Sequence, residues 1–141
     1  MEAADLDRFV TAQDAGGTYA TALSELRRGS KRSHWMWFVF PQLAGLGRSS
    51  TARYYALTSL AQAQAYLAHP VLGARLHECA RVLLGVEGRT AADVFGGIDA
   101  LKLCSSMTLF AAAAPDEGLF TEVLQRYFDG RRDAATILLL G

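Results

Sequence analysis

Apolar residues recur at three- and four-residue intervals along most of this chain, and the rhythm breaks at glycines, prolines and cap-forming residues. Leu6, Phe9, Val10 and Gln13 fall on one helical face behind Asp5 as N-cap, and Gly16 with Gly17 stops that element. A second helix runs from Thr18 to about Arg28, with Tyr19, Leu23 and Leu26 on one face and Gly29 after it, so the two make a hairpin. Further on, Ser59 caps an alanine-rich helix ending at Ala68, and His69-Pro70 breaks it. Pro70 then opens the longest amphipathic segment, striped by Leu72, Leu76, Cys79 and Leu83 up to Gly85, with Gly73 allowing a close helix contact.

Thr90 caps a short helix through Phe95, and Gly96-Gly97 turns the chain. Asp99 is the expected cap of the next helix, in which Leu103, Met107 and Phe110 form one stripe and Leu101, Cys104 and Thr108 another. Two apolar faces predict a central, buried helix. Pro115-Asp116 opens a strongly amphipathic helix stopped by Gly130, and Asp133 to Leu140 reads as a last short helix whose leucines dock on the body.

One stretch resists this pattern. From Lys31 the chain reads Lys-Arg-Ser-His-Trp-Met-Trp-Phe-Val-Phe-Pro-Gln-Leu, which holds both tryptophans. Trp, Phe and Val favour strands, but the run is apolar on both faces and no partner strand is visible. Ser33 is therefore read as an N-cap and His34 to Val39 as a short buried helix ended by Pro41. A glycine-serine loop follows, capped at its end by Ser50 or Thr51, and a short turn carries Arg53, Tyr54 and Tyr55. The expected fold is all-α: a single compact multihelical domain over residues 1–141, made of about seven to eight short helices.

Composition agrees with a packed domain. The 141 residues are 51% hydrophobic and 20% charged, richer in apolar side chains than a disordered segment. No membrane span is expected, because the longest candidate run, around His34 to Leu46, is too short and contains Pro41. An acidic start without a basic and then apolar region suggests no secretory signal, and Cys79 and Cys104 sit inside helical patterns as small core residues. A cytoplasmic setting is the expectation.

Net charge is zero, yet its distribution is uneven. Arg27, Arg28, Lys31, Arg32, Arg48, Arg53 and Arg75 occupy residues 26–77, a window with no Asp or Glu. Either flanking helices neutralise this block on folding, or it remains as a field that attracts anions.

Three strings carry a resemblance: the one quoted from Lys31; His-Pro-Val-Leu-Gly-Ala-Arg-Leu from His69; and Phe-Gly-Gly-Ile-Asp-Ala-Leu-Lys-Leu-Cys-Ser-Ser-Met-Thr-Leu-Phe from Phe95. In these the chain resembles domain-of-unknown-function family 1810, over nearly its whole length. The resemblance implies a small multihelical bacterial protein with a fold of its own. It carries over no established activity, and the label calpastatin sometimes given to such proteins fits poorly, since inhibitory calpastatin segments are disordered.

The residues themselves narrow the chemistry. His34, His69 and His77 lack metal-ligand spacing, so no metal site is expected, and no nucleophile elbow, phosphate loop or dinucleotide fingerprint occurs; no cofactor is implied. What remains is a composite site for a phosphorylated, nucleotide-like small molecule. In it His34 serves as acid or base, Trp35 or Trp37 as a stacking platform, and Lys31, Arg32, Arg48 and Arg53 as phosphate ligands, with Gln42 closing the segment. Lys102, on the central helix with Asp99, Ser105 and Ser106, joins it if it faces a shared cavity. The alternative is that the tryptophans fill the core, His34 bonds a backbone carbonyl and the cations pair with acids. Two further readings stay open. An exposed aromatic patch would make an interaction domain without catalytic activity, and the basic window could hold nucleic acid weakly, which zero net charge makes unlikely.

Overall fold

The structure is a computed structural model describing residues 6–141. The chain forms α1 (Asp7–Asp14), a 3-10 turn (Ala15–Gly17), α2 (Thr18–Arg27), α3 (Met36–Val39), α4 (Ser50–Tyr54), α5 (Leu60–Ala68), α6 (Leu72–Gly85), α7 (Ala91–Ala113), α8 (Leu119–Phe128) and α9 (Ala134–Leu140). Seven of these are longer helices and two, α3 and α4, are about one turn each. There is no sheet among the described residues; a single parallel bridge pairs Leu43 with Leu57, through the Leu57 N–H to Gln42 O at 2.9 Å and the Ala44 N–H to Leu57 O at 2.7 Å. The aromatic run thus has an extended partner after all, but only for one residue beyond Pro41.

Several boundaries follow from local chemistry. Gly16 and Gly17, at φ 59° and 71°, turn the chain between α1 and α2, which pack together. Ser59 caps α5 by accepting from the Gln62 N–H, and Thr90 with Asp93 makes a reciprocal capping box at the start of α7. The Gly96 backbone, at φ 81° and ψ 167°, breaks α7 where the paired glycines predict a turn. Helix resumes at once, so Asp99 is not a cap but a residue inside the helix, freed for ion pairing. Ser49, rather than Ser50 or Thr51, caps α4. Ser33 is not the cap of α3 either: Trp35 occupies that position without a side-chain bond, because the Ser33 hydroxyl is claimed by Glu25. The expected cap Asp5 lies outside the described residues.

The core is continuous. Phe9, Leu26, Trp35, Phe40, Tyr66, Leu76, Leu103, Phe110 and Phe120 are buried in one cluster, with α7 at its centre against α5, α8 and α9. Of the described helices, α7 alone is long and apolar enough to cross a bilayer, yet 61% of its most apolar window is buried inside the protein, as a core helix requires. The α5–α6 crossing is tight at Gly73, where an added Cβ would stand 2.1 Å from the Leu67 carbonyl oxygen. The packing of the tail also departs from expectation. Helix α9 buries Thr136, while Ile137, Leu138 and Leu139 are 48%, 81% and 50% exposed.

Candidate functional site

The candidate segment is shaped by a residue that precedes it. Glu25 lies on the inward face of α2 beside Ala22 and Leu26 and is only 3% exposed. A buried carboxylate must fill its lone pairs. Its Oε1 accepts from the Arg32 N–H at 2.9 Å, the Ser33 N–H at 3.0 Å and the Trp35 indole N–H at 2.8 Å, while Oε2 accepts from the Ser33 hydroxyl at 2.6 Å. Burial acts to raise the carboxyl, but the bonds from the Ser33 hydroxyl, the Arg32 amide and the Trp35 indole outweigh it and hold the group at about 2. The loop after α2 is therefore wound around one anion, with the Ser30 N–H on Glu25 O and the Lys31 N–H on Val94 O.

Beyond that clip stands a ladder of cations and rings. Lys31 Nζ is 2.9 Å from Asp99 Oδ2, donates to the Ser33 carbonyl and lies 5.0 Å from the Trp35 ring. Lys102 Nζ is 3.5 Å from the other oxygen of Asp99 and 5.1 Å from the Trp37 ring. One carboxylate thus serves two lysines, each set against a tryptophan. The two indoles have opposite fates. Trp35 is fully buried against Phe40 and Phe95, whereas Trp37 is half-buried and borders an open cleft with Phe38, Ser50, Thr51, Tyr54 and Tyr55.

The sequence-predicted residues accordingly divide. Trp37 lines the aromatic cleft, and Lys102 lies against its ring without lining the cleft itself. Lys31 and Trp35 belong to the ion pair and the core. Arg32 lines a different cleft with Arg28 and Ser30, and His34 is exposed and lines neither. Arg48 and Arg53 are exposed and line neither cleft, though Arg53 shares α4 with Tyr54. Gln42 contributes its backbone to the Leu57 bridge. The seven-cation window is only partly neutralised: Lys31 pairs with Asp99 and Arg75 with Asp14, and the other five meet no acid among the described residues. No cluster of three or more His, Cys, Asp or Glu side chains suited to a metal occurs among those residues.

Sequence reasoning missed Glu25, Arg28, Ser30 and the Tyr54-Tyr55 pair, whose rings meet edge to face at 4.8 Å. Glu25 had one legible signal, an acid at an apolar position of α2 immediately before the acid-free window. His77 carries a separate arrangement, bonded to the Gly73 carbonyl at 2.6 Å and to the Glu117 carboxylate and packed on Phe120, which ties α6 to the turn before α8. On α7, Ser106 Oγ is buried without a hydrogen-bond partner.

A multihelical body around one central helix, with its aromatic segment clipped to a buried carboxylate, defines the class as compact all-α proteins. The chain belongs to the family described as "Protein of unknown function (DUF1810)", which matches residues 3–140. It is also similar to the conserved hypothetical protein Rv1873 from Mycobacterium tuberculosis, known from a crystal structure, with 52% identity over 96% of each chain and a TM-score of 0.93. No curated protein matches it.

Proposed function

We propose that the protein binds a small molecule carrying a planar ring and an anionic group, nucleotide-like in that sense, in the cleft around Trp37. The observation that carries this reading is the cleft's lining: four aromatic side chains, Trp37, Phe38, Tyr54 and Tyr55, with the hydroxyls of Ser50 and Thr51, while the Lys102 ammonium stands 5.1 Å from the Trp37 ring. Aromatic walls with a few convergent polar groups suit a flat ligand. Lys102 supplies the charge, because it holds Asp99 at 3.5 Å while Lys31 takes the closer oxygen at 2.9 Å. His34 has no hydrogen-bonded acid or base beside it among the described residues, so the reading is of binding, without an assigned reaction. Two free cysteines are consistent with the reducing, cytoplasmic setting expected.

Nucleoside monophosphates and ring-free sugar phosphates, tested by thermal shift, separate the ring from the charge. A nucleotide at about 100-fold excess over its dissociation constant adds roughly 2.7 kcal/mol of stability. Tyr54→Ala and Lys102→Gln should each weaken that effect, and sugar phosphates should not produce it at this cleft. Absence of a shift with every ring-bearing anion overturns the reading. The second reading, a protein-interaction role, then gains from the exposed apolar side chains of α9, Leu138 above all at 81%.

A further inference from the structure

We infer that Arg28, Ser30 and Arg32 form a second anion site, separate from the aromatic cleft, that takes a phosphoryl dianion. The three residues line one open cleft, and none of its lining residues is an acid. The neighbouring cleft on α2 and α6 makes an instructive contrast. It holds Arg27, Arg75 and Arg81, but it also holds Glu78, and its Arg75 is already bonded to Asp14 at 2.8 Å and to Gln13. Charge there is partly offset by Glu78 and Asp14.

Three carboxylates tied to this loop are engaged elsewhere. Glu25 is saturated by four donors, Asp93 is bound in the capping box with Thr90, and Asp99 is shared by Lys31 and Lys102. Neither Arg28 nor Arg32 pairs with an acid among the described residues, so two guanidinium forks are left for an outside anion, the geometry that phosphate oxygens match.

The loop that presents them is fixed rather than loose. The Arg32 N–H is held by Glu25 and the Lys31 N–H by Val94 O at 2.7 Å. On the other side, Arg89 Nε donates to Gly29 O at 3.1 Å and its Nη2 to Asp93 O at 3.1 Å, placing a further positive charge behind the loop. A helix C-terminus ordinarily repels anions, but here the Ser24, Glu25 and Leu26 carbonyls are taken by the Arg28, Ser30 and Gly29 N–H groups. A braced backbone confines the freedom lost on binding to the two side chains. The Ser30 hydroxyl adds a neutral donor between them.

This inference does not rest on the Trp37 reading, and one experiment keeps the two apart. Inorganic phosphate and glycerol phosphate are titrated calorimetrically into the full chain at constant ionic strength, with chloride as the control. The expected result is saturable single-site binding that Arg28→Gln and Arg32→Gln each weaken at least about tenfold. Ser30→Ala should weaken it less, and Arg48→Gln and Tyr54→Ala should leave it unchanged. Equal affinity for the ester and the free ion marks the site as one for phosphorylated compounds, and preference for the free ion marks it as one for phosphate itself. Binding no tighter than that of chloride, or binding untouched by both arginine changes, overturns the inference. Because both arginines are exposed and make no ion pair among the described residues, loss of folding does not confuse the result.

Discussion

Replacing Glu25 by glutamine should remove a charge while keeping every hydrogen bond. The amide oxygen can accept from the Arg32 and Ser33 N–H groups and the Trp35 indole, and the amide N–H₂ can donate to the Ser33 oxygen once that hydroxyl turns. What is lost is the preference for the ionised form. With the carboxyl held at about 2 against an ordinary 4.5, the ionised clip contributes on the order of 3 kcal/mol at neutral pH. A depressed carboxyl stabilises fully above 4.5 and loses its contribution as pH falls toward 2, so less than half of it should remain at pH 3. Urea unfolding of the wild type and Glu25→Gln at pH 7 and pH 3 reads the difference directly, since all other carboxylates titrate alike in both. An offset between the two proteins that is equal at both pH values, or absent at pH 7, would refute the account of Glu25 as an ionised clip. Glu25→Ala should cost more than Glu25→Gln, because it leaves buried donors of the loop without an acceptor.

Two other substitutions test packing away from the site. Gly73→Ala would push a Cβ to 2.1 Å from the Leu67 carbonyl oxygen, forcing α5 and α6 apart at a cost of about 3 kcal/mol and a fall in Tm on the order of 10 °C; an unchanged melting curve would show that the crossing is not that close. Ser106→Ala removes a buried hydroxyl that has no partner and should raise stability by about 1 kcal/mol in urea, whereas a loss would reveal a bond to that oxygen.

The chain announced its local devices and hid its long-range ones. Thr90, Ser59 and the Gly96 break are legible because a cap or a left-handed turn depends on residues within four positions. The family, too, was legible in three short strings. The roles of the aromatic segment were not. Residues 35–40 look apolar on both faces, but Trp35, Met36, Val39 and Phe40 are the buried members and Trp37 with Phe38 the half-exposed ones, a one-turn helical pattern too short to register as periodic. Likewise no spacing rule could pair Lys31 with Asp99 or seat Lys102 against Trp37, since both depend on how α7 crosses the loop. Nor did most leucines of α9 dock as their composition suggests: Thr136 is buried and Leu140 packs on the core, but Leu138 and Leu139 stay exposed.

The span of the Glu25 clip has a bearing on the order in which the molecule assembles. Its bonds close segments of seven to ten residues, while Lys31 reaches Asp99 across 99 − 31 = 68 positions. Closing the longer segment from an open chain costs about 1.7 kcal/mol more in entropy. Local closures come first in small domains. The clip can therefore form on α2 alone and hold Lys31 and Trp35 in place before α7 arrives, so that the helix central to the finished core meets a docking face already prepared by the chain's first third.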